Sequence, residues 1–360
     1  MALTEHGLLT PGPVNLHPAA AAVIARPQTH HRSRRAIQVI SSLRRKLKEL
    51  AAADGEVILI GGSGTASMEA AVRGLFRQGA RLWIPVAGKF AGRWAEIAAS
   101  AGMKPVLTEH EWGSAVSVNS LPEEPLDGAL LTHSETSTGV LHPVHELSRA
   151  VKSQNDGAIV VVDAVTSFML AELKLDAWNI DAAVSGSQKG VMSPPGLSWL
   201  WLSNRAVEVL RPAGYYLDVY RELKAQQKGQ TAFTPPIQII EAVDAVLTAE
   251  LPGGIKDLPR RWERKARENH RFYSMGSEIG LRPVPNSNEH RSPATAAFYL
   301  PDSVRYDLLS TAFENAGWRI AGGQGKLKDR IFRVSAMGYF KPAELDRAYD
   351  DFLRIISHLV

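Results

Sequence analysis

Lys189 stands in the stretch SGSQKGVMSPPG, residues 185–196, between small residues and a stiff Pro-Pro-Gly turn. An amine held there suits a nucleophile and proton carrier; the plain alternative is a loop cation paired with an acid. Asp163 closes the apolar run AIVVVD, residues 158–163. A carboxylate ending a buried strand needs a compensating partner, or else it caps the segment that follows. Gly61-Gly62-Ser63-Gly64-Thr65 follows the run EVILI and opens a helical pattern. Small residues there present backbone N–H groups and the positive end of a helix to an anion, most naturally phosphate. The pattern is neither a P-loop nor a dinucleotide fingerprint: no Gly-Lys-Ser/Thr follows, and Ser67 takes the last glycine position. A tight strand-to-helix turn is the alternative. A further polar run, His133-Ser134-Glu135-Thr136-Ser137-Thr138, follows GALLT.

Taken together, an amine, a carboxylate and a phosphate cradle fit pyridoxal 5′-phosphate. Its aldehyde takes an amine as a Schiff base, its ring nitrogen needs a carboxylate, and its phosphate needs N–H and hydroxyl donors. Lys189, Asp163 and Ser63-Gly64-Thr65 supply these.

Those residues must be carried to one place. EVILI, RLWIPV (81–86), GALLTH (128–133), AIVVVD, DAAVS (181–185) and LSWLWL (197–202) read as strands, alternating for the most part with helical patterns. That alternation predicts an α/β domain with a mostly parallel sheet, whose ligands bind at the carboxyl ends of the strands. A long basic helix is expected over 33–53. Two long helices are expected near 237–250 and 255–279, and a smaller α+β segment over the C-terminal part. We place an N-terminal arm at 1–18, a large cofactor-binding domain at 19–251 and a small C-terminal domain at 252–360.

The 360 residues carry 41 basic and 37 acidic side chains and no cysteine. Disulfides, thiolate metal sites and cysteine nucleophiles are excluded. The basic clusters RRKLK (44–48) and RRWERKAR (260–267) are expected to be solvated helix faces rather than a polyanion site, so no nucleic-acid partner is expected. No apolar run approaches a membrane span, no secretory signal or peroxisomal tripeptide is read at the termini, and a cytoplasmic location is expected.

The segments TPGPVNLHP, HSETSTGVLHP, VVDAVTSF, SGSQKGVMSPPG, FTPP and FRVSAMG occur in an order and spacing that resembles the class V aminotransferases of pyridoxal-phosphate fold type I, most closely the alanine/serine–glyoxylate aminotransferases. The resemblance implies a seven-stranded, mostly parallel sheet in the large domain. It implies that Lys189 bonds to the cofactor aldehyde and that Asp163 pairs with the ring nitrogen. It places Ser63, Gly64, Thr65 and Gln188 around the phosphate, Phe90 on the pyridine ring and Thr136 against the cofactor. Arg333, in IFRVSAMG, matches the arginine that clamps the substrate carboxylate. Thr234 matches a threonine that reaches the neighbouring subunit's phosphate, so a homodimer with shared sites is implied. The arm is then expected across the partner near the cleft. The chain departs from the family pattern at Ser134, where a glycine is usual, and near Thr231, where a tyrosine is usual.

The activity implied is transamination between serine or alanine and a 2-oxo acid such as glyoxylate or pyruvate. The sequence near Arg333 shows no second arginine that marks a dicarboxylate pocket, which favours small substrates. Cysteine desulfuration lacks its nucleophile here. Another pyridoxal-phosphate chemistry, such as a lyase or a ureidoglycine-type aminotransferase, is the nearest alternative. A non-catalytic subunit of a larger complex is the other.

Overall fold

The computed structural model describes residues 6–359; the first five residues of the expected arm and Val360 lie outside them. A seven-stranded sheet runs in the order Glu56–Gly61, Leu197–Leu202, Ala182–Gly186, Ile159–Asp163, Gly128–Thr132, Arg81–Val86, Lys104–Glu109. Only Leu197–Leu202 runs antiparallel to its neighbours. Six of these strands are those the apolar runs predict. The seventh, Lys104–Glu109, is an edge strand with alternating exposure and a short apolar content, so no run marks it.

The interior strands are apolar on both sides because helices cover both faces. Along Ile159–Asp163, Val160 and Val162 join one core while Ile159 and Val161 join the other. Trp199 and Trp201 likewise face the first core, and Leu200 and Leu202 the second. The helices Gly64–Leu75 and Lys89–Ser100 lie on the second side. On the first lie Arg34–Leu50, Val144–Gln154 and Ile237–Glu250.

The C-terminal part has its own core. A three-stranded antiparallel sheet of Ala296–Tyr299, Ile331–Val334 and Ala321–Gly322 packs with the helices Leu258–Glu278, Tyr306–Asn315 and Pro342–Leu359. Phe272, Phe298, Phe332 and Phe352 form its buried aromatic centre.

Within the expected arm, Gly7–Leu8 pairs in parallel with Trp318–Arg319, and Leu9 is fully buried. The RRWERKAR cluster is not wholly a solvated face, since Arg261 and Lys265 are buried. In RRKLK, Arg44 also turns inward, donating to the carbonyls of Val57 and Gln226 and pairing with Glu56. Basic residues at helical spacing look the same in sequence whether or not carbonyls wait beneath them.

Candidate active site

The parallel strands Glu56–Gly61, Gly128–Thr132, Ile159–Asp163 and Ala182–Gly186 all end at one edge of the sheet, and the polar residues read from the sequence collect there. Gly62 takes φ +143, and its N–H donates to the Gly196 carbonyl at 2.9 Å. That left-handed turn hands the chain to the helix that opens at Gly64. Ser63 sits at the N-cap, yet its side chain makes no capping bond, so its hydroxyl is available to a ligand. A Cβ on Gly64 would stand 2.5 Å from Val165, so the backbone approach excludes a side chain.

Gln188 joins this end. A Cβ on Gly186 would lie 3.0 Å from Gln188 Oε1 and 3.6 Å from the Gly64 nitrogen, so the three groups share one small space. Gln188 Oε1 is buried without a hydrogen-bond partner among the described residues. Such an orphan acceptor needs a donor, such as a water, to meet it. The unused Ser63 hydroxyl, the helix-start N–H groups and the Gln188 NH2 are donors that fit a phosphate.

Asp163 is buried, and its carboxylate accepts the Val165 N–H at 2.8 Å. It therefore does turn the chain after its strand, as the capping alternative held. Burial raises its pKa to about 6, opposed mainly by that hydrogen bond. The charges of Arg93 and Lys189 pull it down and Glu135 pushes it up, which puts all three within electrostatic reach. Lys189 Nζ donates to the carbonyl of Pro11 at 2.5 Å. Its pKa falls to about 8, chiefly through burial and then through Arg333. Gly190 follows it because a Cβ there would stand 2.5 Å from the Phe168 carbonyl.

Arg333 is buried at 4% exposure. Its guanidinium donates to the carbonyls of Gly322 and Thr136, and it makes no ion pair among the described residues. Burial lowers its pKa to about 10. A buried guanidinium held only by carbonyls is suited to donate to a carboxylate. Thr136 is buried beside it, and what it offers Arg333 is its carbonyl.

Phe90 is held by Glu135. That carboxylate accepts the backbone N–H groups of Phe90 and Ala91, both at 3.0 Å, and the Ser137 hydroxyl at 2.5 Å. Burial pushes the Glu135 carboxyl up, and these bonds oppose it. Ser134 satisfies its hydroxyl with Ser292 at 2.8 Å. Thr234 is exposed and lines a cavity with Gly61 and Tyr216. Thr231 spends its hydroxyl on the Phe233 carbonyl at 2.6 Å, so it does not replace a tyrosine. Tyr216 brings a phenol to this place instead: its hydroxyl lies 3.4 Å from where a Gly61 Cβ would be.

Sequence reasoning missed Arg93. Its guanidinium lies 4.9 Å from the centre of the Phe90 ring and donates to the Thr65 hydroxyl at 3.2 Å. No acid lies within ion-pair distance of it among the described residues. The helix Lys89–Ser100 thus brings a guanidinium within reach of the charges of Asp163 and Lys189. Its position three residues after Phe90, one helical turn, was the signal that could have found it.

The family description Aminotransferase class-V matches residues 16–309. A solved aspartate aminotransferase of subgroup IV from Thermus thermophilus is 45% identical, covering 98% of this chain and 100% of that one at a TM-score of 0.94. An alanine–glyoxylate aminotransferase from Nostoc sp. is 26% identical, covering 99% and 96% at a TM-score of 0.91. A soluble hydrogenase 42 kDa subunit of Anabaena cylindrica is 31% identical over 352 residues, 94% of this chain and 90% of that protein.

Proposed function

The chain belongs to the class-V aminotransferases, pyridoxal-phosphate-dependent enzymes of fold type I, and from that membership we propose a transamination between a small amino acid and a small 2-oxo acid such as glyoxylate. Pyridoxal 5′-phosphate supplies an aldehyde that takes up the amino group and a ring that accepts the electrons left when the Cα–H bond breaks. The observation that carries the reading is the set Lys189, Asp163 and Arg333: a buried amine lowered to about 8 that lies within reach of the charges of both a buried carboxylate and a buried guanidinium without an acid.

The residues divide the work. Lys189 tethers the cofactor, then accepts the α-proton of the amino acid and returns it. A pKa near 8 keeps a useful fraction of its amine neutral near pH 7. Asp163 holds a proton at the ring nitrogen. Ser63, Gly64, Thr65 and Gln188 bind the phosphate. Phe90 stacks on the ring, fixed in place by Glu135. Thr136 braces Arg333, which takes the carboxylate of each substrate in turn through its planar fork. In this reading residues 19–251 hold the cofactor and residues 252–360 bring Arg333 to it. The arm covers Lys189 from the same chain through Pro11. Thr234 serves the phosphate of a second copy, which makes the enzyme a homodimer.

A second donor class is favoured by Arg93. A partly exposed guanidinium beside Phe90, with no acid at ion-pair distance among the described residues, suits the distal carboxylate of a dicarboxylate such as aspartate. The 45% identical Thermus structure bears the name of an aspartate aminotransferase, which supports the same choice. A half-reaction screen decides. Purified holoenzyme is mixed with serine, alanine or aspartate, and the cofactor absorbance is followed as the amino group is transferred. Conversion by one donor, and return with glyoxylate, supports transamination. Loss of absorbance with no keto acid formed, or no conversion by any donor, contradicts it.

A further inference from the structure

The helix Leu258–Glu278 carries Arg261, Lys265 and Asn269 at successive four-residue spacings, so they share one face. All are buried, at 3%, 4% and 0% exposure. Arg261 donates to the carbonyl of Gly190, the residue after Lys189, at 2.6 Å. It is paired with Glu250, which also receives Arg264 at 2.7 Å and faces His17 at 3.3 Å. The His17 backbone N–H donates to the Met192 carbonyl at 2.9 Å, so the Lys189 loop is held at two points. One turn along the helix, Lys265 donates to the carbonyls of Ala336 at 3.0 Å and Gly338 at 2.9 Å. Asn269 accepts the Ala336 N–H at 2.8 Å. Ala336 lies just beyond Arg333 on the same chain segment.

Burying cations is expensive, and apolar residues of like volume often serve stability as well or better. What apolar residues cannot do is hold carbonyl groups at set points. The carbonyls held here belong to the two segments that carry the amine and the carboxylate clamp. Phe332, Val334 and Ala336 pack in the C-terminal core, Met337 joins Val191 and Met192 in the first core of the large sheet, and the two segments share no strand. The helix face is a direct polar link between them.

We propose that Arg261 and Lys265 are positioning residues which hold the Lys189 loop and the Arg333 strand at one spacing, so that the amine and the guanidinium address the same substrate carbon. The inference rests on the reading of Lys189 and Arg333 given above. An amino acid presents its α-hydrogen and its carboxylate on one atom, so the two protein groups have little tolerance. A misplacement near 1 Å costs on the order of 100-fold in rate.

The test uses holoenzyme carrying Arg261→Met or Lys265→Met, with Arg261→Lys and Lys265→Arg as conservative partners. Two constants are read: the pH midpoint of the bound cofactor's absorbance, which reports the Lys189 side, and the inhibition constant of propionate, an inert carboxylate that reports the Arg333 side. Arg261→Met is expected to move the midpoint by about half a pH unit or more and leave propionate within about twofold. Lys265→Met is expected to weaken propionate by about tenfold and leave the midpoint in place. The conservative variants should recover part of each change. If Arg261→Met does not fold, Glu250→Gln keeps the volume, loosens Arg261 and is read the same way. A lowered melting temperature with both constants unmoved overturns the proposal, since that is the mark of a purely structural role. Borohydride reduction of the parent followed by peptide mapping separates the two ideas. Cofactor on another lysine defeats the reading of Lys189, whereas cofactor on Lys189 with unmoved constants defeats the positioning role alone.

Discussion

Lys189 and Gly12 are in direct contact: a Cβ built on Gly12 would stand 2.5 Å from Lys189 Nζ and 2.6 Å from its Cδ. Gly12 also takes φ +118, where a side chain is strained. The arm therefore closes over the lysine with backbone alone. Gly12→Ala is expected to destabilise the protein by about 1 kcal/mol. It should also slow the half-reaction by about tenfold or more, because the amine is displaced. Denaturant melts and stopped-flow absorbance check the two parts. An unchanged half-reaction would show that the arm does not constrain Lys189.

Asp163 and Lys189 give opposite pH signatures in cofactor-free protein. Burial raises Asp163 from 3.8 to about 6, so the folded chain keeps a proton that the unfolded chain has lost. Its contribution makes stability fall as pH rises from about 4 to about 6. Lys189 is lowered from 10.5 to about 8, so the unfolded chain binds the extra proton and stability rises between those values. Asp163→Asn should remove the first dependence and Lys189→Met the second, each on the order of 1–3 kcal/mol across its window. Parent-minus-variant melts against pH measure both. In holoenzyme, Asp163→Asn should also slow the half-reaction by roughly 10²–10⁴-fold.

The proposed role of Arg93 in donor choice is tested by substitution. Arg93→Met is expected to raise the KM for aspartate by about tenfold or more while serine and alanine change by about threefold or less. Equal losses with all donors would place Arg93 on the cofactor, through Thr65, rather than on the substrate.

Thr234 tests assembly. Lys189→Ala and a disrupted Thr234 variant, each inactive, should regain activity when subunits exchange, because one site of the mixed dimer then has both residues intact. No recovery despite proven exchange, or a monomeric active enzyme, would contradict a shared site.

Much of this was legible in the sequence because the demands were local. A buried parallel strand must be apolar on both faces, so AIVVVD and LSWLWL marked themselves, and the residue closing the first was Asp163. The turn at Gly62 to Gly64 was likewise visible, since Gly62 takes φ +143 and a Cβ on Gly64 would meet the Val165 side chain. What stayed hidden depended on distant partners. Glu135 became a clamp on Phe90 only when the strand Gly128–Thr132 and the helix Lys89–Ser100 came together. Arg261 and Lys265 looked like surface cations until their carbonyl partners, 71 residues away or more, were in place. The edge strand Lys104–Glu109 carried no apolar run because one of its sides is open.

The central claim is that Lys189 carries the cofactor. Holoenzyme reduced with borohydride, digested and mapped by mass spectrometry tests it most directly. A phosphopyridoxyl group is expected on the peptide containing Lys189, and none on that peptide in Lys189→Ala. The same group on a different lysine of the parent enzyme would contradict it.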